Sequence, residues 1–361
     1  MKNKGLNILI FILIPWVAFA IPRPEGKFKK TKVIRRTYQV NPAGGSLQVE
    51  NIYGNINILT WDQDSVDIKV TISVDGNNAG QVDKRLKGID VLIEKNANHI
   101  QAETNVKTWY ESWSFFDMLL GKSSKVNFKI LYEIRMPATF NLKIINKYGD
   151  FYLDKLSGKL QLNMEYGRFD IGELLHDFNR INTDYLSLSS IDFIKGGSLN
   201  SDYSKIKIST AYRLDLNCDY STITIGEVRF LHLNNDYGSI QVNDVKEVTG
   251  SGDYQTRYFS GVDYIRFNGD YGSLKIDRIL PGFRRIDLTC DYSTVKITNP
   301  NDVPYRLEID QQYGNFKQNG IKLNKEIYDN GDKTIRGYYK DKNTSSVIKL
   351  KMDYGNIKII N

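Results

Sequence analysis

The sequence predicts an all-β protein, namely a parallel β-solenoid (β-helix) built from coils of about 17–21 residues and closed by a β-rich N-terminal cap. Three observations predict it. A tyrosine recurs at nearly constant spacing, apolar residues alternate on both sides of each tyrosine, and residues typical of turns surround it.

The repeat is marked by twelve tyrosines. From Tyr148 to Tyr271 the steps between them are 18, 19, 18, 17, 17, 17 and 17 residues, followed by two steps of 21 and one of 41. The tyrosines are Tyr53, Tyr148, Tyr166, Tyr185, Tyr203, Tyr220, Tyr237, Tyr254, Tyr271, Tyr292, Tyr313 and Tyr354. So regular a spacing predicts one structural unit per step.

Each repeat carries apolar residues six and four positions before its tyrosine and three and five positions after it. Around Tyr220 these are Leu214, Leu216, Ile223 and Ile225. Two short strands joined at a corner cannot bury such a face alone, but stacked copies bury it by parallel pairing. An antiparallel meander would not return the same residue to the same corner. Arg257 is an exception, since it occupies one of the apolar positions.

The first twenty residues predict a signal peptide. Lys2 and Lys4 precede an apolar stretch, and cleavage is expected after Ala20. Cleavage removes two lysines and no acid, so the net charge falls from +7 to +5. We therefore expect an exported protein of the periplasm, the outer-membrane surface or the extracellular space, without a transmembrane helix in the mature chain.

The mature chain is expected to have three parts. Residues 21–140 form a β-rich cap with the first coil, residues 141–320 form the regular coils, and residues 321–361 form a hairpin insertion and the last coil. Asp329-Asn330-Gly331 predicts the hairpin turn. In the cap, a short helix is expected around residues 79–86, with strands at 66–74, 89–93 and 126–136.

An aromatic insertion, residues 107–124, interrupts the cap. Trp109, Trp113, Phe116 and Leu120 would share one face of a helix. This face either covers one end of the apolar core or contacts a partner or membrane surface.

A column of acids, including Asp219, Asp236, Asp253 and Asp270, directly precedes the tyrosines. These carboxylates are either weak candidates for calcium-type sites or turn caps that accept backbone amides. Three positions before the tyrosines stands a column that includes Asn163, Asn182, Asn200 and Asn217. It predicts an amide ladder, with a sugar-binding face of Tyr and Asn as the alternative.

Motifs for catalysis are missing. His99, His176 and His232 are isolated, and no zinc-protease, nucleophile-elbow, phosphate-loop or CxxC motif occurs. We therefore expect no enzyme activity and no cofactor. Basic residues are spread along the strands, which disfavours nucleic acid as a partner. Cys218 and Cys290 occupy equivalent positions four coils apart, about 19 Å by strand spacing, so two free, buried thiols are expected.

Residues from about 38 to 360 resemble the bacterial putative-adhesin domain family, and are similar to the head domain of putative auto-transporter adhesins. The likeness rests on Gly44-Gly45-Ser46-Leu47, on Asn51-Ile52-Tyr53-Gly54-Asn55-Ile56, on Trp61 with the strand from Val66, and on the later Tyr-Gly-x-Ile copies. It implies adhesion and carries no reaction. The aromatic insertion and the long C-terminal step depart from the pattern.

The leading hypothesis is a non-catalytic, adhesin-like or scaffolding protein of the bacterial envelope, with a surface polysaccharide or an envelope protein as its partner. Two alternatives stay open: a polysaccharide-acting β-helix enzyme that uses the aspartate column, and a filament of stacked solenoid ends.

Overall fold

The computed structural model describes residues 26–107 and 126–361. This part of the chain contains 26 β-strands and one short α-helix, so the predicted all-β class is confirmed. The signal peptide lies outside the described residues. So do the side chains predicted for the aromatic insertion, Trp109, Trp113, Phe116 and Leu120.

The N-terminal part has seven strands and the helix. Four of these elements lie where the sequence predicts them, namely the helix at residues 79–86 and the strands at residues 66–74, 89–93 and 126–136. Its elements are β1 (Phe28–Gln39), β2 (Ser46–Ile52), β3 (Gly54–Trp61), β4 (Ser65–Gly76), α1 (Ala79–Lys87), β5 (Ile89–Asn96), β6 (His99–Val106) and β7 (Val126–Pro137). The helix begins after Asn78, whose side chain accepts a hydrogen bond from the amide of Gln81.

The repeats contain thirteen strands. They are β8 (Asn141–Lys147), β9 (Phe151–Leu156), β10 (Leu160–Gly167), β11 (Phe169–Leu174), β12 (Asn179–Leu186), β13 (Ser189–Asp202), β14 (Lys205–Asn217), β15 (Thr222–Asn234), β16 (Gly238–Ser251), β17 (Gln255–Asn268), β18 (Ser273–Ile279), β19 (Arg285–Thr289) and β20 (Thr294–Thr298). Six strands follow: β21 (Tyr305–Gln312), β22 (Asn315–Gln318), β23 (Lys322–Asp329), β24 (Asp332–Tyr339), β25 (Val347–Asp353) and β26 (Asn356–Ile360).

Equivalent residues of successive repeats pair in parallel. Ile206 pairs with Ile223, and Ile223 pairs with Ile240. At both ends the pairing becomes antiparallel, in β1–β4, β4–β7 and β5–β6 and in β21–β24 and β23–β24. The strand order is therefore mixed. Parallel pairing joins the repeats to one another and also joins β2 to β6 and β3 to β7, whereas the outer strands of both ends pair antiparallel.

The core is made of columns of identical repeat positions. In most coils the four apolar positions around the tyrosine are buried, as Leu214, Leu216, Ile223 and Ile225 illustrate. Leu188 after Tyr185 is exposed, and Phe316 after Tyr313 is half-buried. A further inward column lies eight residues after the tyrosines and includes Val228, Val245 and Val262. Each repeat therefore has a third inward-facing segment that the two-strand description of the sequence left out.

Arg257 fits the core because glycines leave room for it. The side chain is buried, and its guanidinium lies 4.0 Å above the ring of Phe267 and donates to the carbonyl of Gly252. Gly252 and Gly269 occupy positions where other repeats carry Cys218 or Cys290. Burial lowers the pKa of Arg257 to about 10, so the side chain stays charged at neutral pH.

The rungs of the stack do not follow chain order at the C-terminal end. Strand β25 pairs with both β19 and β21, and β26 pairs with both β20 and β22. The last segment of the chain thus lies between the coils of Tyr292 and Tyr313, rather than at the end of the stack. The hairpin β23–β24 then pairs with the outermost strand, β21.

Both cysteines are free and buried, as predicted. Burial raises the pKa of both thiols, that of Cys290 to about 12, so neither is a thiolate at neutral pH. Within the described residues, the single helix is too short and too polar to cross a membrane.

Candidate functional site

The most regular surface of the molecule is a ridge formed by the twelve repeat tyrosines. Neighbouring rings lie 4.8–5.2 Å apart, centroid to centroid, with interplanar angles of 2–17°. In space the order runs from Tyr53 to Tyr292, then to Tyr354 and Tyr313. We call this column the tyrosine ridge. Its length is about 53 Å at the strand spacing.

Every tyrosine of the ridge has a left-handed backbone, with φ between 43° and 61°. This conformation costs a residue with a β-carbon about 1–2 kcal/mol. The chain turns sharply at this point, and the turn projects the ring outward onto the ring of the next coil. Stacking on two neighbouring rings, or on one at Tyr53 and Tyr313, offsets the backbone cost.

Both ends of the tyrosine ridge are covered. The ring of Phe128 packs edge-on against Tyr53 at 5.6 Å, and the guanidinium of Arg85 lies 4.5 Å above Phe128. At the other end, Gly331 contacts Tyr313. No signal in the sequence assigned Phe128 or Arg85 to this position, because both lie in the cap and outside the repeat.

The ridge presents ring edges and hydroxyl groups rather than ring faces. From Tyr166 onward the ten tyrosines are 40–59% exposed, but each ring face is covered by its neighbour. Burial, with adjacent phenols and carboxylates, raises the pKa of Tyr203, Tyr237 and Tyr271, so these phenols remain protonated at neutral pH. A sugar ring therefore cannot stack on the faces of these tyrosines, because neighbouring tyrosines already cover them.

The aspartate column forms a ladder beside the tyrosines. Oδ1 of Asp219 accepts the amide of Asp236 at 2.7 Å, and Oδ1 of Asp236 accepts that of Asp253 at 2.7 Å. Asp253 and Asp270 continue the pattern. Each carboxylate therefore accepts the amide of the equivalent aspartate one coil along, rather than an amide of its own turn.

The same hydrogen bond occupies one oxygen of each metal candidate, Asp219, Asp236, Asp253 and Asp270. Across residues 26–107 and 126–361, no group of three or more His, Cys, Asp or Glu side chains is arranged to hold a metal ion. The arrangement suits amide capping, in which a carboxylate accepts a backbone N–H and so holds the register between coils.

The asparagine column forms a second ladder. Nδ2 of Asn182 donates to Oδ1 of Asn163 at 3.0 Å, Asn200 donates to Asn182 at 2.8 Å, and Asn217 donates to Asn200 at 2.9 Å. A groove of about 390 Å³ follows this column and is lined also by Glu165, Asp184 and Asp202 among others. Its polar lining suits a hydroxylated ligand, although the ladder already uses amide atoms that could bind one.

The remaining predicted positions are not assembled into a site. His99 bonds to Ser46 and His232 to Thr249, whereas His176 packs against Phe178. The described residues bring no two of these histidines together, which matches their isolation in the sequence.

No family model and no curated protein match the chain. Solved structures similar to it include a putative cell adhesion protein from Clostridium sporogenes (10% identity, 91% of this chain and 99% of that chain covered, TM-score 0.18). Two others come from Parabacteroides distasonis. One is a putative adhesin (9% identity, 91% and 97% covered, TM-score 0.34), and the other is a putative lipid binding protein (9% identity, 93% and 98% covered, TM-score 0.29). Two of these descriptions name the class of protein that the sequence resembles, but at such low TM-scores the likenesses carry no argument about function.

Proposed function

We propose that this chain is an exported, non-catalytic β-solenoid that acts as an adhesin-like binder or scaffold of the bacterial envelope. One observation carries the proposal. The side chains most able to do chemistry, the Asp and Asn columns and the tyrosine ridge, are used between coils to hold register. These ladders make the stack of coils rigid, and its outward-facing side chains therefore repeat at the strand spacing.

The solenoid architecture is part of this proposal. Parallel pairing of residues one repeat apart, and inward columns on three segments of each repeat, support a chain that winds once per repeat. In this interpretation residues 21–140 supply the cap and the first coil, residues 141–320 form the regular coils, and residues 321–361 supply the hairpin and one further rung. Residues 1–20 direct export and are removed after Ala20.

Neither alternative function gains support. A polysaccharide-acting enzyme would need carboxylates free to transfer protons at a cleft, whereas each aspartate of the column accepts a backbone amide. A filament would need open ends, but antiparallel strands lie at both ends of the stack. The basic edge strand β1, with Lys29 and Lys30 exposed and Lys32 half-buried, also disfavours end-to-end pairing.

The proposal is tested with purified residues 21–361 on a polysaccharide and glycan array, with and without calcium, and with product detection on the same samples. We expect binding that does not need calcium and yields no products. An Asp236→Asn/Asp270→Asn double variant retains carbonyl acceptors for the amides of Asp253 and Asp291, and should bind like the parent. Release of products by the parent but not by this variant would overturn the proposal in favour of an enzyme. No binding to any glycan would remove the adhesin-like role and leave a scaffold.

A further inference from the structure

One outward face of the repeats is rich in lysine and free of acids. It consists of the side chains two and four residues after the tyrosine in the eight adjacent rungs from Tyr203 to Tyr313. All sixteen are exposed or half-buried, and they comprise six lysines, nine Ser, Thr, Asn or Gln residues, and Tyr258. We call it the lysine–hydroxyl face. Its lysines are Lys205, Lys207, Lys275, Lys296, Lys358 and Lys317.

Four of these lysines form a column on consecutive rungs. Lys275 pairs in register with Lys296, Lys296 with Lys358, and Lys358 with Lys317. Adjacent members are therefore about 4.8 Å apart at the backbone. Lys275 lies 2.9 Å from a carboxylate oxygen of Asp277. Among the described residues, Lys296, Lys358 and Lys317 form no ion pair.

The strands before the tyrosines in the same rungs do not share this excess of positive charge. On those strands, positively and negatively charged side chains alternate from one rung to the next. Lys349 stands in register between Asp287 and Glu308, and Lys351 stands beside Asp310. Like charges in a column repel one another, and an anion that lies across them relieves that repulsion. A column in which three of four lysines lie outside the described ion pairs is therefore suited to a ligand with repeated negative charges.

We infer that the lysine–hydroxyl face binds a linear acidic polysaccharide along the axis of the stack. The inference rests on the proposed binding function and names its ligand class. Lysines would neutralise the carboxylates of the polymer, and the Ser, Thr and Asn side chains between them would exchange hydrogen bonds with its hydroxyl groups. A membrane surface is disfavoured, because the face lacks the apolar side chains that insert below the lipid headgroups.

The test compares two triple variants of residues 21–361 that lose the same charge. Lys296→Gln/Lys317→Gln/Lys358→Gln changes the lysine–hydroxyl face, and Lys143→Gln/Lys349→Gln/Lys351→Gln changes the strands before the tyrosines. The probes are polygalacturonate, neutral dextran, and vesicles of phosphatidylcholine with phosphatidylglycerol. Circular dichroism and thermal unfolding check that both variants fold.

We expect the parent to bind polygalacturonate, more weakly as salt is added, and to ignore dextran. The first variant should bind about tenfold more weakly, which corresponds to about 1.4 kcal/mol, and the second should stay within about twofold of the parent. Equal losses in both variants would overturn the inference, as would binding to anionic vesicles without binding to polygalacturonate. Binding to neutral glycans only would overturn it while leaving the proposed function intact. Absence of binding to every glycan on the array would instead contradict the proposed adhesin-like function itself.

Discussion

Gly331 in the β23–β24 turn lies directly against the ring of Tyr313, the outermost tyrosine of the ridge. The amide of Tyr313 donates to the carbonyl of Gly331 at 3.0 Å. Gly331 has φ 94°, and a β-carbon there would lie 2.6 Å from Cε1 of Tyr313. The antiparallel pairing of Asp329 with Asp332 confirms the turn predicted at Asp329-Asn330-Gly331. This turn covers the end of the tyrosine ridge as well as joining two strands.

Gly331→Ala should destabilise this end by about 2–3 kcal/mol, because it adds a steric clash to the backbone cost of a positive φ. Gly282→Ala is the matched control, since Gly282 has φ 75° and no atom within 4 Å of the added carbon. The control should lose only about 1 kcal/mol. Urea unfolding, with hydrogen exchange in β21–β24, gives the comparison. Equal losses would mean that contact with Tyr313 contributes nothing.

Tyr237→Ala should destabilise the stack by about 3 kcal/mol, since it removes a ring with two stacked neighbours but keeps the left-handed backbone. Tyr237→Gly removes the same ring and also relieves the backbone, so it should be about 1 kcal/mol less destabilising. Urea denaturation measures both. If glycine is no better than alanine, the φ of Tyr237 is not a source of strain.

Arg257→Met should leave stability unchanged or raise it, because a buried charge without a carboxylate partner is replaced by an apolar chain of similar length. Arg257→Ala should lose about 2–4 kcal/mol through the cavity it opens beside Phe267. Thermal unfolding of the two variants distinguishes loss of charge from loss of volume. A Met variant as unstable as the Ala variant would show that the guanidinium itself is required.

Stability of the N-terminal sheet should fall in acid through Asp67. Hydrogen bonds from Arg35 at 3.0 and 2.9 Å hold the pKa of Asp67 below its usual value. A carboxylate with a lowered folded pKa stabilises above its unfolded pKa of about 3.9. That contribution disappears as pH falls through the folded value. Urea titrations from pH 6 to about pH 2.5 should therefore show a steeper loss in the parent than in Asp67→Asn.

The control for this pH dependence is Asp83→Asn, which removes an exposed ion pair between helix α1 and Lys30 of β1. It should keep the acid response of the parent, because exposed pairs contribute little. A parent and an Asp67→Asn variant with the same pH profile would contradict the assignment.

The inward columns were predictable because alternation reports directly which side chains face the core. Leu214, Leu216, Ile223 and Ile225 were found in this way, whereas Val228 was not, although valine also stands eight residues after Tyr237 and Tyr254. A search for any apolar position repeated at fixed distance from the tyrosine, rather than for alternation alone, would have identified that column.

Other features depend on relationships that a single repeat does not encode. The amide bound by Asp219 belongs to the next coil, so its identity follows from stacking rather than from the local turn. The position of β25 and β26 in the stack could not be predicted for the same reason. Each coil of a repetitive stack presents nearly the same strand edges, so the sequence does not show which coils these two strands pair with. Only the paired three-dimensional arrangement distinguishes insertion between two coils from addition at the end.

That insertion has a consequence for biogenesis. Synthesis and the proposed export both deliver the chain from its N-terminus, so the coils up to Tyr292 can stack one upon another before the later strands arrive. The coil of Tyr313 cannot join them in this way, because β25 and β26 separate it from β19 and β20 in the finished molecule. Completion of the stack must therefore await β25 and β26. A chain truncated before β25 would leave the coils of Tyr292 and Tyr313 without the strands that join them.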